Sequence, residues 1–263
     1  MKNIKDKVAF IIGTGPSLNK IDIKKLKGFP SITFNRAYLA FEEWGFDPKY
    51  YLAIDGNDIR SVYKDINNLT KNSNIEKMFL VKLNDNQLHE PSDFQDFDFK
   101  SNDEIYCESE KIFLMHNIGG TTIPQINDFD INGQDIKTTF VSNAGFMGLK
   151  MLYMLGYRRI YLLGMDARYK DDTSFRDVKI KGRQYTATED NDVNHFRGDY
   201  FGKNITFGKP NESEIIGIWK NFMSNIKNYP DLEIFSCSEN SNLNDFIKYV
   251  EFDEIIRDLS KVD

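Results

Sequence analysis

Short apolar runs recur along this chain, and most of them stop at a small or polar residue. Val8 to Ile12 (VAFII) is continuous and ends at Gly13. Strands buried on both faces of a parallel sheet read in this way. Ser31 to Phe34 (SITF), Tyr50 to Ile54 (YYLAI) and Lys77 to Val81 (KMFLV) repeat the pattern, with Asp55 at the end of the third run. Ile160 to Gly164 (IYLLG) and Leu232 to Phe235 (LEIF) add two more. Between the runs, helical spacing predicts a helix from Ala37 through Trp44 that Gly45 ends. A second lies within SNAGFMGLKMLYMLGY, Ser142 to Tyr157, and a third covers Glu212 to Asn228. The stretch LNDFIKYVEFDEIIRDL supplies closing helices. Ser17 is placed to cap a short segment that Gly28 closes. Strands alternating with helices predict an α/β chain. It is Rossmann-like, with a mostly parallel sheet and helices on both faces.

Two stretches break this rhythm. Residues 84–132 are polar and without clear period, with short strands expected near Ile105 to Tyr106 and Ile112 to Met115. Ala167 to Val193 is rich in charges, Thr and Gly and has no sustained apolar face. It predicts a flexible lid, spanning about residues 167–200, on a single domain that takes in residues 1–263.

Composition narrows the function classes. The 263 residues carry a formal net charge of -6, which disfavours a general grip on nucleic acid. Cys107 and Cys237 are the only cysteines and no CxxC occurs, so a reducing compartment is expected. The first apolar run is too short for a signal-peptide core or a membrane span. A cytoplasmic protein without a transmembrane segment is expected, with peripheral contact at the inner face of a membrane and a homo-oligomer both allowed. Aromatic residues reach 14%, enough to serve both a core and stacking platforms for bases.

Candidate chemistry gathers at the strand ends. In IIGTGPSLNK, the residues Gly13, Thr14, Gly15, Pro16 and Ser17 form the turn where an open parallel sheet binds its ligands. Glycine lets a phosphate or ribose approach the backbone closely. Leu18 replaces the third glycine of a dinucleotide fingerprint, which weakens a dehydrogenase. No GK[ST] follows, so this is not a Walker loop. Asn35 and Arg36 follow the second strand, and Asp55, Asn57 and Asp58 the third. Gly164, Asp166, Arg168 and Tyr169 follow IYLLG. Asn can read a base or hold a ribose, Asp55 can accept from a ribose hydroxyl, and Arg168 can meet a phosphate or an acidic sugar. The plain alternative for each is a cap or a turn, and for Arg168 an ion pair with Asp166.

His195, in EDNDVNHFRGDYFG, is the sharpest single candidate. An imidazole titrates near cellular pH, as a general base for an attacking hydroxyl must. Asp192 or Glu189 can orient its ring, and Arg197, Asp199 and Tyr200 are near in sequence. A structural histidine is the alternative. With His89 and His116 far away, no zinc spacing exists. A Mg²⁺ site using Asp55 or Asp166 stays open. Acidic residues are plentiful, but no spacing singles out a glycosidase pair.

Five blocks together carry a resemblance. They are IIGTGPSL, ITFNRAYLAF with DPKYYLAID, GFMGLKMLYMLGYRRIYLLGMD, NHFRGDYFG and CSENSNLNDFI, in order from about Val8 to Ile247. The chain resembles the bacterial sialyltransferase-like superfamily. One branch is the family-42 sialyltransferases; the other is the DUF115 group, with motility accessory factors and an archaeal hydroxymethylpterin diphosphokinase. NRAYL and NHFRGDYFG are closer to the second branch. The resemblance implies a GT-A-like sialyltransferase variant of the fold and inverting, metal-independent transfer from a CMP-activated sugar. It implies no required cofactor, and as partners a nucleotide-sugar donor and a glycan acceptor. By position, Gly13 to Ser17 would touch donor phosphate and nucleotide, and Asn35 donor phosphate. Asp55 and Asn57 lie where the nucleotide is held, Ser238 and Ser241 near base or ribose, and His195 at the base.

Arg168 stands where the family has a tyrosine for the leaving group, with Tyr169 beside it and Tyr185 as a loose second. The family's arginine before the small-residue helix is replaced near Val141, while Ser142, Asn143 and Ala144 keep a small polar turn. The expected function is an inverting glycosyltransferase of bacterial surface glycans, such as lipopolysaccharide. The enzyme alternative is a diphosphokinase on a pterin-like alcohol, whose Mg²⁺ would use Asp55, Asp166 or Asp192. A non-catalytic binding module is the third class.

Overall fold

β1 (Val8–Ile12) shows why the chain folds as two layers around a sheet. All five of its residues are buried, and they alternate between two cores. Val8, Phe10 and Ile12 face one core; Ala9 and Ile11 face the other. A strand with no polar face needs cover on both sides, and helices supply it. We describe the structure from a computed structural model, over residues 7–84, 101–119, 123–170, 184–208 and 210–261.

The strands that follow are β2 (Ser31–Phe34), β3 (Tyr50–Ala53), β4 (Lys77–Val81) and β5 (Ile112–Asn117). Then come β6 (Asp130–Asn132), β7 (Asp135–Thr138), β8 (Arg159–Leu163), β9 (Gln184–Thr186), β10 (Thr206–Gly208) and β11 (Glu233–Ser236). Nine of them form one sheet in the order β11-β8-β1-β2-β3-β4-β5-β7-β6. Every neighbouring pair is parallel except β6 with β7. β9 and β10 pair antiparallel as a separate ribbon. The fold is α/β and Rossmann-like, as the alternation predicts.

The first core takes the Gly56–Asn72 and Phe252–Ser260 helices together with Phe41 and Trp44. The second takes the Ala144–Met154 and Glu212–Ser224 helices, with Phe146, Trp219 and Phe222 in edge-on contact. Helices therefore cover both faces.

Several local expectations change. Ala37 to Trp44 is a 3₁₀ stretch (Asn35–Ala40) leading into one α-turn (Phe41–Trp44), and Gly45 ends it with φ 72°. Ile105 and Tyr106 form no strand; they follow a 3₁₀ turn (Asn102–Glu104) and plug the first core. The 17-residue Gly56–Asn72 helix fills the gap where the sequence reading places no element. The hydroxyl of Ser17 does not cap the Pro16–Lys20 turn, because it is drawn to Asp166. Of the expected lid, residues 171–183 lie outside the described residues. Asp192, Phe196 and Tyr200 are buried, and Phe196 packs against Trp44 of the body.

Candidate functional site

The strand order reverses direction between β1 and β8. From β1 the chain builds outward through β2, β3, β4 and β5, whereas β8 and β11 lie on its other side. In an open α/β sheet, the crevice at the carboxyl ends of such a pair binds ligands. Ile12 pairs with Leu163, so the loops that begin at Gly13 and Gly164 leave the sheet side by side. A cleft of about 670 Å³ opens there.

The two loops interlock. Gly13 N donates to Leu163 O at 2.7 Å and Gly15 N to Gly164 O at 2.8 Å. A Cβ on Gly13 would overlap the Gly164 carbonyl, and one on Gly15 would sit 2.6 Å from an Asp166 carboxylate oxygen. The close approach that these glycines serve here is between two protein loops. Asp166 completes the join by accepting from Ser17 N at 2.9 Å and from Ser17 Oγ.

Strain is concentrated at this edge. Asn35 and Ala167, both lining the cleft, have φ of 53° and 46°, values uncommon outside glycine. Tyr51 holds the first by donating its hydroxyl to Asn35 O at 2.6 Å.

Helix N-termini also meet the cleft. Asp55 and Gly56 line it at the start of the Gly56–Asn72 helix, in whose first turn Asn57 falls. Asn211 and Glu214 line it at the start of the Glu212–Ser224 helix. Ser142, Asn143, Ala144 and Gly145 line it at the start of the Ala144–Met154 helix. Unpaired N–H groups and the helix dipole make such ends attractive to anions. The ends are not equivalent, however. Glu212 and Glu214 already offset the dipole of their own helix, whereas the first turn of Ala144–Met154 contains no acid. Its cap is Asn143, whose Oδ1 accepts from Phe146 N at 2.7 Å and from Trp219 Nε1 at 3.2 Å.

His195 also lines the cleft. Its Nδ1 lies 2.7 Å from Asp192 Oδ2, and the Asp192 side chain is 1% exposed. Asp192 also accepts from Asn194 N at 2.9 Å, which fixes the carboxylate. An ionised carboxylate only accepts, so it selects the tautomer with hydrogen on Nδ1 and leaves Nε2 as the basic nitrogen. The ring lies flat on Tyr200, with centroids 4.1 Å apart, and edge-on to Phe201. The whole segment is docked on the glycine loop: Phe196 N donates to Thr14 O at 2.9 Å, and Asn19 Nδ2 to Phe196 O at 2.9 Å.

The fold thus brings Thr14, Gly15, Asn35, Asp55, Ser142, Asn143, Gly164, Asp166, Arg168, Tyr169 and His195 to one cleft. Gly13, Pro16 and Ser17 stand behind it, as does Arg36, whose backbone N meets the Tyr200 hydroxyl at 3.4 Å. Ser238 and Ser241 are buried, with their hydroxyls engaged by Met165, so they support the β8 loop from below. Arg168 donates to Asn242 at 3.0 Å, and this is the bond seen in place of a pairing with Asp166. Burial, and then the charges of Asp166, Glu212 and Asp192, push the Tyr169 phenol up to about 12. It stays a hydrogen-bond donor at any cellular pH. His116 pairs with Asp135 far along the sheet, and His89 lies outside the described residues. The cleft's aromatic residues Phe34, Phe140 and Phe207 and the buttress residues Glu212 and Asn242 escape a sequence reading, because their roles depend on contacts distant in sequence.

A similar solved structure is the MAf glycosyltransferase from Magnetospirillum magneticum AMB-1, with 15% identity and a TM-score of 0.45. That match covers 100% of this chain but only 38% of the other protein, so this chain spans little more than a third of its length. Another is the sialyltransferase CstII from Campylobacter jejuni, solved with cytidine-5'-monophosphate. It shows 18% identity and a TM-score of 0.44, over 92% of this chain and 84% of that one. No curated protein matches in sequence. The model of one protein family, 6-hydroxymethylpterin diphosphokinase MptE-like, matches residues 1–172. That stretch holds the glycine loop, β1 to β8 and the Asp166–Tyr169 turn, and on that match the chain belongs to the MptE-like family.

Proposed function

We propose that the chain is an inverting glycosyltransferase. It moves a sugar, sialic acid or a related acidic sugar, from a CMP donor to a hydroxyl of a bacterial surface glycan. The carrying observation is that the His195–Asp192 pair and the acid-free N-terminus of the Ala144–Met154 helix open on one cleft. His195 Nε2 takes the proton from the acceptor hydroxyl as its oxygen bonds to the anomeric carbon. The bond from that carbon to the donor phosphate breaks on the opposite face, which inverts the centre, and CMP leaves. Charge growing on the phosphate is met by the helix N–H groups, by Arg168 and by the protonated Tyr169 hydroxyl. Asn35, Asp55 and Asn57 hold the nucleoside in this reading. The acceptor implies work at the inner face of a membrane. Among the described residues, no helix is long and apolar enough to cross one.

Family membership supports a second reading, diphosphate transfer from ATP to a pterin-like alcohol. That chemistry implies Mg²⁺. Two of the three carboxylates open to that role, Asp166 and Asp192, are already engaged within the protein. Both Asp166 oxygens accept from Ser17, and both Asp192 oxygens accept from His195, Asn194 and Phe201. Among the described residues, no group of three or more His, Cys, Asp and Glu is placed to hold a metal ion. We therefore derive no step through a metal.

The test is a melting experiment followed by rates. Stabilisation by CMP in the presence of a chelator is expected; stabilisation only by an ATP analogue with Mg²⁺ overturns the transferase. His195→Ala is then expected to abolish sugar transfer while CMP binding persists. Unchanged rates would remove His195 from the mechanism.

A further inference from the structure

The segment after β11 lies beyond the part of the chain that the family matches, yet it grips the loop after β8 residue by residue. Ser238 Oγ accepts from Met165 N at 3.1 Å, and Ser241 Oγ donates to Met165 O at 2.7 Å. Asn242 N donates to Asp166 O at 3.0 Å. Asn242 Nδ2 donates to Ala167 O at 2.9 Å and to Glu212 Oε1 at 3.0 Å. Its Oδ1 accepts from Arg168 Nε at 3.3 Å and Nη2 at 3.0 Å. The other Glu212 oxygen accepts from Tyr169 N at 2.8 Å.

An asparagine side chain has two donor hydrogens and one oxygen with two lone pairs. Asn242 uses all of them on this loop, its cation and the carboxylate beside it. The two Nδ2 bonds are enough to brace the turn at Ala167. The pair of contacts to one edge of the guanidinium has a different effect. It sets the plane of Arg168 and leaves the remaining donors for an anion in the cleft. A long side chain held before a ligand arrives loses less freedom when the ligand binds.

We infer that Asn242 is a positioning residue, which holds the Arg168 guanidinium at the cleft in the orientation that meets a bound phosphate. This rests on the proposed reading that Arg168 contacts phosphate. It assigns Asn242 no contact with substrate.

The experiment combines a ligand-free signal with a double-mutant cycle. In the free protein, the nitrogen-15 NMR signal of the Arg168 Nε–Hε group is expected to be shifted and broadened by Asn242→Ala. Asn242→Asp combined with Glu212→Gln, which keeps an oxygen facing Arg168, gives up both Nδ2 donations and sets no second carboxylate against it, is expected to retain it. Affinity for CMP and for inorganic pyrophosphate is then measured by calorimetry. Arg168→Met should weaken binding about tenfold and Asn242→Ala about threefold, in the range of a charged hydrogen bond and of its loosened form. In the Arg168→Met background, Asn242→Ala should have no further effect. An Arg168 signal unmoved by Asn242→Ala, or additive losses in the cycle, overturns the inference and assigns Asn242 to loop packing. A wild-type chain that binds neither probe overturns the proposed function instead, and the Arg168 signal still decides the role of Asn242. Should Asn242→Ala fail to fold, the combined Asn242→Asp, Glu212→Gln variant carries the same test. Loss of the Arg168 signal there overturns the inference.

Discussion

At the scale of single residues, the site depends on side-chain pairs, some local, such as Asp192 with His195, and some that join distant parts of the chain. Asp192 holds His195 in one tautomer, and a carboxamide in its place can present the wrong hydrogen to Nδ1. Asp192→Asn should therefore lower transfer by a factor of about 10²–10⁴ while CMP affinity stays within about twofold. Initial rates beside calorimetry check this, and an unchanged rate removes the pair from the mechanism. Gly15 makes a second prediction. Its Cβ position is filled by the Asp166 carboxylate at 2.6 Å and the Gly164 carbonyl at 2.8 Å, neither of them the tip of a long flexible chain. Gly15→Ala should cost about 1–3 kcal/mol in a urea titration, because it prises the two loops apart. A substitution that only obstructed a ligand would leave stability unchanged. IIGTGPS was legible as a site because glycine after an apolar run marks a strand end. Its partner Asp166, 149 positions from Ser17, was legible as a second strand end but not as that loop's clasp.

At the scale of elements, the strands were readable because parallel strands buried on both faces must be apolar throughout. The Gly56–Asn72 helix was not read, although Ile59, Val62, Ile66 and Leu69 are buried at helical spacing. Asn, Asp and Thr make up seven of its other thirteen residues, and their weak helix propensity gives the segment a loop-like composition. Burial of one stripe overrides that preference. The Ala144–Met154 helix illustrates the opposite case, a polar residue in an apolar element. Its Lys150 side chain is 1% exposed and donates to Asp128 Oδ1 at 2.7 Å and to Thr139 O at 2.8 Å. This ties the helix to the segment leading to the cleft rim at Phe140. Burial alone would raise the Asp128 carboxyl, but hydrogen bonds from Lys150 and Thr139 together hold it below the usual carboxylate range. A depressed acid contributes its stability above its unfolded value, near pH 4, and loses it as pH falls through the folded value. Lys150→Met should cost about 2–4 kcal/mol at pH 7, and the gap to wild type should close toward pH 3. Urea titrations at both values test this. A gap independent of pH would rule out the ion pair as its source.

At the scale of the whole molecule, stability should be graded across the sheet. β1, β2 and β3 are buried along their full length, whereas β6 is exposed along its own. In hydrogen exchange, the amides of β1, β2, β3 and β8 should be the slowest and those of β6 and the β9–β10 ribbon among the first to exchange. Uniform protection would contradict this gradient. Periodicity and strand-end chemistry in the sequence alone were sufficient for the α/β class, most strands of the central sheet and the principal polar candidates. These are local properties: a run of apolar side chains needs cover on both faces, and whatever ends it lies at an edge. The order of the nine strands, the crevice between β1 and β8, and the convergence of helix ends on it were decided only in three dimensions. So were the clasp of Ser17 on Asp166, the docking of Phe196 on Thr14 and the grip of Asn242 on Arg168. Each of these joins residues whose meeting depends on which strands become neighbours. Strand order is set by the total burial of both cores, a property of the whole chain that no window of sequence contains.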